Sequence, residues 1–521
     1  MYETRPRYGG VLFPLASLPG PCGIGDLGTP LRQFAAFLET CRVTHWQILP
    51  LGPTGYGNSP YAARSAFAGS EILIDPEDLA QRGFIGKKEL VSLASRFTAA
   101  DAERVNYEKV LAYKLPLLKK AAAAFLSDAG KHDAVFSCEQ FEIFCEREAY
   151  WLSDYALFQV LYESYNDARW HTVWDAALAR RDQGALKKIR AQKQDEIRVW
   201  YALQYFFDCQ WKAAKEAINA RGIKLIGDIP IFVAPDSADS WSRPDLLWMD
   251  QGGYTFVSGV PPDYFSRTGQ LWGNPVFAWE AHKKEQYRWW KNRIKRLMDH
   301  VDLFRIDHFR GFDEYWAVPA ACKTAEAGEW KKGPGADFFE SLKAELGPLP
   351  VVAEDLGFMT ESVKKLRDDQ GFPGMKVCQF GFEDMKKGIL DARHLFLPHN
   401  YGYNWAAYTG THDNDTSAGW FDSLEEADQK TVAAYFNVNW TSSPLGAKIA
   451  SAMVRAVLAS RAAYAIIPLQ DILGLGAAAR INIPSTCTEK NWSWRLPSTP
   501  SAGVAKKFAK LLLLYSRARI F

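Results

Sequence analysis

Eight short apolar runs, each stopped abruptly by a polar residue, a glycine or a proline, constrain this chain most. They fall at residues 10–15, 46–50, 224–229, 301–306, 349–353, 375–380, 405–408 and 464–469. Their hydrophobicity is continuous rather than alternating, as in strands covered on both faces. Amphipathic helical stretches lie between many of them, at 31–41, 280–296 and 361–369. Eight such strands interleaved with helices predict an α/β fold, a closed parallel (β/α)8 TIM-type barrel with large, mainly helical insertions.

A barrel of this kind takes about 250 residues, and the chain has 521. The uneven spacing of the runs places the surplus. Residues 1–70 read as the first part of the barrel. Residues 71–220, rich in Ala, Lys, Glu and aromatics, read as a helical inserted subdomain, being too long for a simple crossover. The barrel continues over 221–311 with a cleft loop at 250–275. A small insertion covers 312–345, and 346–521 completes the barrel.

The remaining composition excludes several classes. Lys and Arg number 62 against 60 Asp and Glu, which argues against the clustered basic face of a nucleic-acid binder. No apolar run is long enough to cross a bilayer. The first five residues lead straight into a strand without the apolar stretch of a signal peptide. The eight cysteines are scattered without a CxxC pair, which fits reduced thiols. These points predict a cytoplasmic protein, with a plastid left open if a transit peptide has been removed. The run Gly23-Ile24-Gly25-Asp26-Leu27-Gly28 fits a dinucleotide fingerprint but lacks the acidic residue about twenty positions on. It reads instead as a turn before a helix opened by Thr29-Pro30. No phosphate loop and no paired metal-ligand spacing is present, so neither cofactor nor metal is expected.

In a parallel barrel the reactive groups sit at the C-terminal ends of the strands. Three acidic strand ends stand out: Arg305-Ile306-Asp307-His308, Ala353-Glu354-Asp355 and Thr411-His412-Asp413-Asn414. Arg305 and Asp307 are two apart, so on a strand they share one face. A lone strand-end acid is more often a helix cap or the partner of a surface cation. Three converging on one barrel mouth match retaining glycoside chemistry, which needs an ionised nucleophile and a protonated acid about 5–5.5 Å apart. Asp307, beside Arg305, suits the nucleophile. Glu354 suits the acid/base if burial and repulsion raise its pKa. Asp413, with His412, suits transition-state stabilisation. The 19 Trp and 22 Tyr add rings able to stack on sugars.

Longer segments narrow the reading. Residues 46–61 (WQILPLGPTGYGNSPY), 227–231 (GDIPI), 259–266 (GVPPDYFS) and 269–275 (GQLWGNP) resemble the amylomaltase, or disproportionating enzyme, family. So do the three acidic segments, 402–404 (GYN) and 491–495 (NWSWR), in the same order from end to end. The resemblance implies a 4-α-glucanotransferase acting on α-1,4-glucans and maltooligosaccharides by two-step transfer. Asp307 would form the covalent glucosyl-enzyme, with Glu354 as acid/base and Asp413 as stabiliser. It further implies that Arg305, His412 and Asp228 contact the sugar at the cleavage point. Ser59, Tyr61 and Trp272 would bind donor or acceptor, Tyr264 and Phe265 would belong to a mobile loop over the cleft, and Asn482 would bind glucan. Two positions depart from the family pattern: Ser485 stands where Gly usually follows Asn-x-Pro, and Gly69-Ser70 replaces a commoner Gly-Asn.

Two other readings stay open at this level. An α-amylase-like hydrolase would release reducing ends from maltotriose without a ladder of longer products. A catalytically dead glucan binder would keep affinity with no turnover. Oligomeric state and chain-length preference are not encoded in any pattern found.

Overall fold

Each of the eight apolar runs overlaps a strand. In the computed structural model, which describes residues 5–127, 133–250, 253–262, 266–441 and 443–519, these are β1 (Tyr8–Leu12), β2 (His45–Gln47), β3 (Lys224–Ile229) and β4 (Leu303–Ile306). The rest are β5 (Val351–Ala353), β6 (Gly374–Val377), β7 (Trp405–Tyr408) and β8 (Tyr464–Pro468). Every pairing among them is parallel, in the order β5-β4-β3-β2-β1-β8-β7-β6. The sheet is a nearly closed barrel. Its seam, between β5 and β6, is bridged where the Ala353 N–H donates to the Pro373 carbonyl at 2.8 Å.

The barrel interior is a packed core at its lower levels. Leu12, Ile226, Leu303, Val352, Met375, Ala406 and Ile466 are all buried and touch one another. Alternation then carries polar residues inward one level higher: Asp228 follows Ile226, Arg305 follows Leu303, and Glu354 follows Val352, each two positions on. The barrel axis thus changes from apolar to charged towards the strand C-termini.

Between β2 and β3 the described residues form a run of helices, the longest being Tyr107–Leu126, Ala149–Tyr165 and Gln194–Ala220. The last of these is fastened to the loop after β2. Gln204 accepts from the Gly69 N–H at 2.9 Å and donates to the Gly69 carbonyl at 2.8 Å, and Gln210 accepts from the Asp75 N–H at 2.7 Å. A Cβ on Gly69 would lie 2.0 Å from the Phe207 ring, so glycine is required for this close approach. The glycine-rich run at 23–28 ends as a turn, with Gly28 preceding the helix Thr29–Thr40 and its early proline.

Two features differ from the sequence reading. The stretch 280–296 is not one helix but two, Trp279–Lys284 and Arg288–His300. Gln286 and Tyr287 between them are both left-handed, at φ 57° and 56°. The Tyr287 hydroxyl donates to Asp337 at 2.7 Å and Glu285 accepts from the Trp289 N–H at 3.1 Å, so tertiary contacts and a new cap replace helical continuity. Second, the cleft loop and the small insertion are not separate. Phe256–Val260, Gln270–Pro275, Glu314–Pro319 and Glu329–Lys332 form one four-stranded antiparallel sheet beside the barrel mouth.

Among the described residues, no helix is long and apolar enough to cross a membrane.

Candidate active site

Arg305 organises the mouth of the barrel. Its register partner across β3 is Asp228, and its guanidinium Nη1 donates to both Asp228 oxygens, at 3.0 and 2.9 Å. Nη2 donates to Asp307 Oδ1 at 2.6 Å, and Nε lies 3.4 Å from the Met375 sulfur. The cation is therefore clamped on three sides, as a planar fork allows. Asp228 is fixed further by the Tyr61 hydroxyl, which donates to Oδ2 at 2.7 Å. The Asp228 side chain has no accessible surface, and what it holds in place is Arg305. The Asp307 carboxylate is 31% exposed and faces the cleft.

Glu354 meets Asp307 through the backbone. Its Oε2 accepts from the N–H of His308, the residue next to Asp307, at 2.7 Å, and its Oε1 accepts from the Leu356 N–H at 2.9 Å. Burial pushes this carboxyl up, to about 7; Arg305 and the two backbone donors oppose the rise, and the nearby Asp307 charge adds to it. The sequence placed these carboxylates on neighbouring strands, and the fold brings them to one point.

Asp413 stands on the loop after β7 and is gripped from β8's side. Asn482 donates to its Oδ1 at 2.7 Å, and Arg480 donates to its backbone carbonyl at 2.7 Å. His412 Nε2 lies 3.3 Å from Oδ2. Burial alone would raise the Asp413 carboxyl; the His412 charge and the bonds from His412 and Asn482 outweigh it and hold it well below the usual range. His412 is shifted the other way: burial lowers its imidazole, and the Asp413 charge overrides that and leaves it above its ordinary value. His412 in turn stacks on Tyr61, centroids 5.0 Å apart at 15°, which links this acid to the Asp228–Arg305 pair.

The other residues singled out from sequence are distributed around this centre. Ser59 Oγ accepts from the Tyr61 N–H at 3.2 Å and so shapes the turn that aims Tyr61. Trp272, on the small antiparallel sheet, meets the His308 ring edge-on at 4.8 Å. Tyr264 and Phe265 lie outside the described residues. Sequence reasoning did not single out Arg480, Trp492 or His308. Trp492 packs on both Tyr61 and His412, at 5.7 and 5.9 Å, and both Arg480 and Trp492 stood inside or beside runs already noted. Asn482→Ala removes one grip on Asp413 and should lower kcat by about 100-fold with little change in KM. Steady-state kinetics check this, and an unchanged kcat removes Asn482 from the positioning of Asp413.

A profile of the family described as 4-alpha-glucanotransferase matches residues 13–500. The chain belongs to that family. A 4-alpha-glucanotransferase of Synechocystis is 45% identical over 494 residues, covering 94% of this chain and 94% of the relative. One of Thermus thermophilus is 41% identical, covering 94% and 95%. The solved amylomaltase of Streptococcus agalactiae in complex with acarbose superposes with a TM-score of 0.90 at 34% identity, over 98% of this chain and 100% of that one. The departure from the family pattern at residue 485 is visible in the backbone, because Ser485 sits at φ 61°. A left-handed residue with a Cβ costs about 1–2 kcal/mol. Ser485→Gly is therefore expected to raise stability by about 1 kcal/mol, read as a higher urea midpoint; a lower midpoint rejects the strain.

Proposed function

We propose that the three carboxylates perform a retaining double displacement in which this 4-α-glucanotransferase moves α-1,4-glucan segments to the 4-hydroxyl of glucose or a maltodextrin. Asp307 attacks the anomeric carbon as Glu354 gives its proton to the departing glycosidic oxygen. The donor's leaving segment departs with that proton, and an ester joins Asp307 to the glucosyl unit. Glu354, now ionised, takes the proton from the acceptor 4-hydroxyl, which attacks the same carbon and frees Asp307. Asp413, held charged by His412 and Asn482, lies where it can stabilise the positive character of the sugar ring in both steps.

The observation that carries this reading is the seating of Glu354 on the amide next to Asp307, with Arg305 on the other side of Asp307. Burial raises this carboxyl towards neutrality beside another paired with a cation, which is the division of labour the chemistry needs. The substrates are α-1,4-glucans and maltooligosaccharides of maltodextrin, glycogen or starch metabolism. The cytoplasm, or a plastid stroma, is the compartment in which such chains would be met.

Purified protein given maltotriose is expected to yield glucose together with a ladder of longer oligomers. Reducing ends that accumulate without a ladder would replace the transferase reading with a hydrolytic one.

The pH response follows from Glu354. The group works protonated in the first step, so the competent fraction falls as pH rises through about 7. The basic limb of kcat/KM is expected near that value, and a flat profile to pH 9 rejects Glu354 as the acid.

A further inference from the structure

Two loops leave the Glu354 carboxylate side by side. One begins at His308, bonded to Oε2, and the other at Leu356, bonded to Oε1. Two residues further along each, they meet again, where Arg310 Nη1 donates to the Phe358 carbonyl. Gly357, at φ 81°, makes the left-handed turn between Leu356 and Phe358. The Arg310 guanidinium is itself buried, lying 4.0 Å from the centroid of Trp330 and 5.5 Å from that of Phe358. Phe358 is nevertheless 79% exposed and Trp330 is 41% exposed. Two open aromatic rings thus flank one buried cation on the rim beside the candidate acid/base.

We propose that Phe358 and Trp330, braced by Arg310, form an outlying acceptor subsite that stacks a glucose unit of the incoming α-1,4-glucan. The proposal rests on the assignment of Glu354 as acid/base. That group must touch the oxygen shared with the leaving or incoming sugar, so a platform on its own loop borders the acceptor side of the cleft. The occupant follows from continuity with the cleft. Phe358 is four residues beyond Glu354, at most about 14 Å of chain, so a glucan held at the reacting centre passes within a few rings of it. The apolar faces of glucopyranose match exposed aromatic rings, while their hydroxyls remain in water at the rim. Arg310 contributes by fixing both rings, since its polar edge is turned to the Phe358 carbonyl and towards Glu314, 3.8 Å away.

The test is acceptor kinetics with an α-maltotriosyl fluoride donor, whose fluoride leaving group needs no subsite. Glucose, maltose, maltotriose and maltotetraose are compared as acceptors for the wild type, Phe358→Ala, Trp330→Ala and Phe358→Trp. The acceptor KM of the two alanine variants is expected to rise progressively with chain length, by about tenfold for maltotetraose and least for glucose, with kcat retained. Phe358→Trp should restore the wild-type length dependence. A KM change equal for all acceptors, or none, overturns the subsite. A fall in kcat at constant KM also overturns it, since the loop would then only position Glu354. Wild-type protein that transfers to no acceptor overturns both this inference and the transferase reading; transfer by the wild type with length-independent variants overturns the subsite alone.

Discussion

Asp307→Asn is expected to lower glucan transfer by roughly 10⁴-fold or more, the loss seen when one member of a unit-acting set is removed. The amide cannot form the covalent ester, although it keeps the size of the carboxylate and can still face Arg305. An activated donor such as α-glucosyl fluoride should not rescue it, because the missing step is bond formation at the anomeric carbon. Glu354→Gln should lose as much with maltotriose but behave differently with the fluoride. Fluoride departs without a proton, so formation of the glucosyl-enzyme should recover while its transfer to a sugar hydroxyl stays slow. A burst of fluoride release from Glu354→Gln, absent from Asp307→Asn, is therefore the expected signature. Activity of either variant within about tenfold of wild type on maltotriose would falsify its assigned role.

Arg305→Met is expected to damage both the fold and the reaction. The guanidinium is buried between two carboxylates, and deleting it leaves Asp228 with a buried charge and only the Tyr61 hydroxyl as a hydrogen-bond donor. Removing one partner of such a pair typically costs about 3–5 kcal/mol, so the unfolding midpoint should fall clearly. Transfer should fall as well, since Asp307 loses the group that orients it. Pairing the change with Asp228→Asn removes the stranded charge, and the double variant should be more stable than Arg305→Met alone. That non-additivity is the decisive reading. A double variant less stable than the single one would mean that Asp228 is held by something other than the Arg305 cation.

The barrel and its charged end were legible because both depend on local pattern. Continuous apolar runs gave the strands, and the two-residue spacing of Arg305 and Asp307 gave their shared face. What stayed hidden depends on contacts between distant segments. Nothing local marks Gln286 and Tyr287 as a helix break, because the Tyr287 bond to Asp337 spans fifty positions. The grip of Arg480 on Asp413 spans sixty-seven and uses a backbone carbonyl, which no side-chain pattern records. His308 escaped notice for a related reason: it serves Glu354 with its amide, whereas motif reading attends to its imidazole.

The four-stranded sheet at the mouth pairs with no barrel strand among the described residues. The strand carrying Trp272 is laddered to Phe256–Val260, and that one to Glu314–Pro319, so this wall of the cleft is built as a cassette. Lengthening the 320–328 turn or exchanging side chains across these strands would remodel one bank of the sugar channel and leave the register of the eight-stranded ring alone. Divergence in product size among related chains would then accumulate in this cassette, while the reacting centre stays fixed.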